Sequence, residues 1–176
     1  MSRLILIAAG TIAALSVAAV AAWVAVAWTV ETPPYSVAEK AGDIELRDYP
    51  AMRVAEVVRH GPRREAVRQG FSPLAGYIFA REREGEKISM TAPVTQVPGE
   101  GDSWSVQFIM PEAYSLDHLP APASGDITLH EWPARRMAAI RFGGVATDAT
   151  IAEAEARLRD WMAAEGLEAT AAPVYA

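Results

Sequence analysis

GDIELRDYPAMRVAEV, Gly42 to Val57, returns 83 residues later as GDITLHEWPARRMAAI, Gly125 to Ile140. Eight of the sixteen positions are identical, and Asp48/Glu131, Tyr49/Trp132 and Val57/Ile140 are similar. Self-similarity at a fixed offset reads as internal duplication. Each copy predicts a hairpin: a short alternating strand, an aromatic-Pro-Ala corner, and a second strand, Arg53 to Arg59 or Arg136 to Phe142.

Outward from each copy comes glycine and then a helix. In the first, Gly61-Pro62 opens it, since proline at a helix start loses no intrahelical hydrogen bond. Val67, Phe71, Leu74 and Ile78 line one face, and Pro73 predicts a kink or a restart capped by Ser72. In the second, Thr147-Asp148 is the start, Ile151, Ala154, Leu158, Trp161 and Met162 form the apolar face, and Gly166 closes it. KISMTAPV, Lys87 to Val94, alternates with Ile88, Met90, Ala92 and Val94 on one side and predicts an edge strand, because Pro93 cannot donate to a ladder. Trp104 to Met110 is a further alternating run.

The unit is therefore strand, strand, helix, strand, strand, used twice in an α+β domain whose sheet curves toward a barrel with two flanking helices. Pro111 to Gly125 is a proline-rich crossover within one core. At the same offset, the second copy's third strand would start near Ala171 and its fourth would lie beyond Ala176. The expectation is a sheet completed by further chain, by a partner strand or by a second copy in a homodimer.

The 176 residues hold one domain plus an appendage. Leu4 to Val30 carries no charge and outlasts the roughly 20 residues needed to cross a bilayer. Arg3 before it and Glu31 after it predict a cytoplasmic N-terminus. The expectation is a single-pass anchor over 1–30, a stiff connector with Pro33-Pro34 over 31–41, and a domain over 42–176 on the outer side of the cytoplasmic membrane. Ala25-Val26-Ala27 keeps open a cleaved signal and a secreted domain.

Formal charge is −6; Arg3 is the sole charge before Glu31, so the remainder carries −7. With no basic stripe, the phosphate-neutralising force behind nucleic-acid binding is missing. Zero cysteines exclude disulfides, thiolate metal sites, cysteine nucleophiles and thioether-linked haem.

Several stretches together resemble the SOUL haem-binding family: Glu31-Thr32-Pro33-Pro34-Tyr35, Ile44 to Tyr49, Gly70-Phe71 with Leu74 and Tyr77-Ile78, Lys87 to Val94, and Phe108-Ile109-Met110-Pro111 followed by Leu119-Pro120-Ala121-Pro122. The resemblance runs from about Glu31 to the C-terminus. It implies a distorted antiparallel barrel built from a duplicated unit, non-covalent binding of haem or another tetrapyrrole, and no established catalysis. The position of the axial histidine proposed in one member is Asp48 here. Similar proteins also continue past Val174-Tyr175 with a tyrosine-x-proline-proline stretch.

In members that bind without an iron ligand, the porphyrin lies against the first helix, beside an arginine that aligns with Arg68. The resemblance places Phe71 and Ala75 at apolar contact positions, with Leu74 and Ile78 on the same helix and Arg64 as a second cation, while Gly76 replaces a basic residue. By pattern alone, Phe71, Leu74 and Ile78 read first as core and Arg68 as a solvated helix charge. His60, His118 and His130 are single histidines of the kind more often hydrogen-bonded than metal-bound. No nucleophile elbow, phosphate loop or His-Glu-x-x-His pair is present, and Glu45, Asp48, Glu56 and Glu131 on predicted strands read as outward charges before general bases. Alternatives to a haem binder are a general binder of amphipathic small molecules with a gyrase-inhibitor-like fold, a hydrolase of such molecules, and a structural envelope protein.

Overall fold

The computed structural model describes residues 30–176. The expected anchor over 4–30 lies almost wholly outside them; among the described residues no helix is long and apolar enough to cross a membrane. Seven strands and two long helices follow in the order β1 (Ser36–Ala41), β2 (Ile44–Tyr49), β3 (Met52–His60), α1 (Arg63–Ile78), β4 (Val94–Pro98), β5 (Ser103–Ile109), β6 (Thr128–Trp132), β7 (Arg135–Ile140) and α2 (Asp148–Ala164). They form two antiparallel sheets, β1-β2-β7 and β4-β5-β3-β6, and not a closed barrel. Part of the expected connector is β1, which pairs with β2.

The duplication is visible, but neither copy is a hairpin. β2 pairs with β7 and β3 with β6, so each strand finds its partner in the other copy. A two-residue hairpin turn needs positive φ at its centre, whereas proline holds φ near −65°. Pro50 and Pro133 therefore carry each strand on around a corner. The register survives that corner: Tyr49 faces Arg135, and three residues on, Met52 faces Trp132. Each ladder maps onto the other when the offset of 83 is applied, as a twofold exchange requires.

β3 is the centre of the larger sheet and is buried on both faces, which suits its valine-rich sequence. Ala55 and Val57 join Leu74, Ile78, Val106 and Phe108 beneath α1, while Met52 and Val54 join Ile109 and Trp132 on the opposite face. α1 lies against β3 and β5. Gly70 permits this, because an added Cβ would stand 2.8 Å from the Val106 Cβ and 3.1 Å from a Val57 methyl.

Pro73 does not restart α1, which is continuous from Arg63 to Ile78. The carbonyl that loses its donor belongs to Gln69, an exposed residue that water can serve. α2 starts as expected, with Thr147 accepting from the Thr150 amide in a capping box, and Gly166 follows its end at φ 68°. Its apolar face is mostly half-buried, with Ala154 fully covered.

The predicted strand from Lys87 is a loop as far as Pro93, and the ladder starts at Val94. Proline offers no N–H to extend it. Ile88 is buried and donates its amide to the Ile78 carbonyl at 2.8 Å, whereas Met90, expected on the same inner side, is exposed. Thr91 donates its hydroxyl to the Ile109 carbonyl, tying the loop to the end of β5. The resulting β4 is an edge strand, and Tyr175 exchanges both backbone hydrogen bonds with Gln96 on its free side, at 2.8 and 2.9 Å. The crossover belongs to the same core: Leu119 is buried and the Tyr77 hydroxyl donates to the Pro120 carbonyl.

Candidate functional site

α1 divides the six expected contact residues into two groups. Leu74, Ala75 and Ile78 are 0%, 6% and 1% exposed and meet the sheet, so they hold the helix in place and present nothing to solvent. Arg64, Arg68 and Phe71 share an outward face at helical spacing and are exposed. The Phe71 ring rests edge-on against Phe108, with centroids 5.3 Å apart, and keeps 43% of its surface in water. Phe71 is thus a large aromatic left uncovered on the helix face that also carries Arg64 and Arg68.

Arg68 is not idle. Its Nη2 and Nε donate to the two Glu65 oxygens at 2.5 and 3.0 Å, and Gln69 donates to the same carboxylate at 2.8 Å. The Arg68 bond first, and the Gln69 bond second, pull the Glu65 carboxyl down to about 2. Any acidic ligand group must compete with Glu65 for Arg68.

Each of the three histidines has a polar neighbour. His60 lies 3.5 Å from Asp102, His118 Nδ1 is 2.7 Å from the Ser115 hydroxyl, and His130 Nε2 is 2.8 Å from Glu56 Oε2. Asp48, at the proposed ligand position, takes both forks of Arg136 at 2.7 and 2.8 Å. Among the described residues no group of three or more His, Asp or Glu side chains could hold a metal ion. Of the strand carboxylates, Glu56 is the one set in a polar row: it accepts from Gln107 at 2.7 Å, and Gln107 in turn accepts from Thr95 at 3.2 Å.

A second feature escaped the sequence reading. A cleft of about 640 Å³ opens between the starts of the two helices, walled by Pro62 and Arg63 of the first, Asp148, Ile151 and Glu155 of the second, and Trp104 and Tyr175 from the sheet. Arg63 bridges its two sides, reaching Asp148 Oδ1 at 3.1 Å and Gln96 Oε1 at 2.9 Å. Its residues come from four separate stretches of chain, so no spacing reveals it. The one signal available is that duplicated units related by a twofold bring equivalent helix starts near the axis.

The family model for SOUL heme-binding proteins matches residues 30–176. Human "Heme-binding protein 2" is 33% identical over 118 residues, which cover 61% of this chain and 57% of that protein. Mouse "Heme-binding protein 2" is 29% identical over 105 residues, 56% of this chain and 51% of that protein. The chain spans about half the length of these curated relatives. With the family model covering every residue described above, this chain belongs to the SOUL heme-binding protein family.

Proposed function

We propose that the domain binds haem or a related tetrapyrrole non-covalently, without an axial protein ligand, and is a binding protein and not an enzyme. Membership of the heme-binding family carries this reading. The outward face of α1 supports its location: the porphyrin rests on Phe71, with Arg68 and Arg64 pairing its propionates at the rim. Cysteine-free sequence leaves thioether attachment no route, and Asp48, not a histidine, stands at the position of the proposed axial ligand. The uncharged run from Leu4 to Val30 supports a domain tethered to the outer side of the cytoplasmic membrane.

The test is a titration of the purified full chain with haemin, followed by Soret absorbance. A saturable shift at one haemin per chain, reduced in Phe71→Ala and Arg68→Ala, is the expected result. A non-saturating response, or one indifferent to both substitutions, rejects the α1 site.

A further inference from the structure

We propose that the cleft between the two helix starts is a separate binding site for a planar aromatic cation. It is a cleft open to solvent with a volume of about 640 Å³, a size that admits a small molecule. The floor offers two aromatic rings, Trp104 and Tyr175, with centroids 6.0 Å apart and planes inclined at 51°. Ile151 and Ala152 add aliphatic surface from α2. Such a surface takes a flat apolar body, and tryptophan is the aromatic face a cation favours most.

Charge decides the class of ligand. The wall carries three acids, Asp102, Asp148 and Glu155, against one cation, Arg63. That cation is occupied: its Nε and Nη2 both point at Asp148 Oδ1, at 3.2 and 3.1 Å, and its Nη1 at Gln96. Glu155 is occupied too, by Arg159 at 2.6 Å and by the Tyr175 hydroxyl at 2.8 Å. What remains for a newcomer is the second oxygen of Asp148 and the carboxylate of Asp102, whose neighbour His60 stands 3.5 Å away. Those side chains are 88% and 77% exposed, which puts them at the rim. Cations are attracted there and carboxylates repelled, so the cleft selects against the propionate-bearing ligand assigned to α1.

The site is also rigid. Tyr175 is held by two backbone hydrogen bonds to Gln96 and by its hydroxyl on Glu155, so its ring is in place before any ligand arrives.

Equilibrium dialysis of the full chain against ethidium tests this. One saturable site is expected, with the dissociation constant raised about fivefold by Trp104→Ala and about threefold by Asp102→Asn. Asp102 lies on an exposed turn, so its substitution leaves the fold intact if Trp104→Ala does not. Ile151→Arg should abolish binding, and saturating haemin should leave ethidium affinity unchanged. No saturable binding, affinity indifferent to Asp102→Asn and Ile151→Arg, or displacement of ethidium by haemin each overturns the proposal. The last result leaves the haem reading standing, since haemin would then occupy this cleft.

Discussion

Gly70 approaches Val106 so closely that a Cβ built on it would lie 2.8 Å from two Val106 side-chain carbons. Gly76, six residues along the same helix, has nothing within 4 Å of the same imagined atom. Alanine is the better helix former by about 1 kcal/mol at either position, but overpacking costs about 1–3 kcal/mol where neighbours cannot move. Gly76→Ala is therefore expected to raise the urea midpoint and Gly70→Ala to lower it. Opposite signs from one chemical change are the check; two stabilised variants would mean that β5 yields to the helix.

If Arg68 pairs with a ligand propionate, Glu65 competes with that propionate for it. Glu65→Gln weakens the internal partner while leaving the helix intact, so haemin affinity should rise a few-fold in this variant. Arg68→Ala should lower it, and the double variant should match Arg68→Ala alone. Absorbance titrations of the four proteins at one salt concentration decide the matter, because rim pairs are salt-sensitive.

Replacing His60, His118 or His130 singly with alanine should leave the haemin Soret band in place. The position of the proposed axial histidine is Asp48, which pairs with Arg136. Disappearance of the band in any one variant would identify an axial ligand and overturn the ligand-free mode.

Tyr175 and Glu155 give the alkaline and acid ends of a pH profile. Burial first, and the Glu155 bond second, push the Tyr175 hydroxyl up to about 12. A proton held more tightly when folded means that this stability is complete below about pH 10 and lost between about pH 10 and 12. Glu155 is shifted the other way, by Arg159 first and Tyr175 next, so its share is present above the ordinary glutamate range and lost as pH falls below it. Tyr175→Phe should flatten the alkaline decline of the melting temperature over that window.

A reporter fused after Ala176 should be active only outside the cytoplasm if residues 4–30 anchor the chain as their composition implies. Cytoplasmic activity refutes the topology, and a mature N-terminus at Trp28 would show a cleaved signal.

How much of this was legible varies from residue to residue. The duplication, both helices and the Thr147 cap were readable because each depends on local pattern. Tyr49-Pro50-Ala51 was readable as a corner but misleading as a hairpin, since strand pairing is decided by which strands come together and not by which are adjacent in sequence. Ile88 and Met90 share a parity that means a strand only if the segment joins a ladder, and the ladder starts only at Val94, after Pro93. Helical spacing grouped Phe71 with Leu74 and Ile78, yet a wide apolar stripe curves out of the contact zone, and Phe71 lies on its wet edge. The cleft was invisible because Trp104, Arg63, Ile151 and Tyr175 meet only after the two copies are laced together.

That lacing says something about ancestry and assembly. Since β2 bonds to β7 and β3 to β6, a protein with a single copy of the unit could build both ladders only by clasping an identical chain around a twofold axis. In a chain with two copies the same encounter is intramolecular and does not depend on concentration. The crossover from Pro111 to Gly125 is the tether that keeps the two copies within reach of each other.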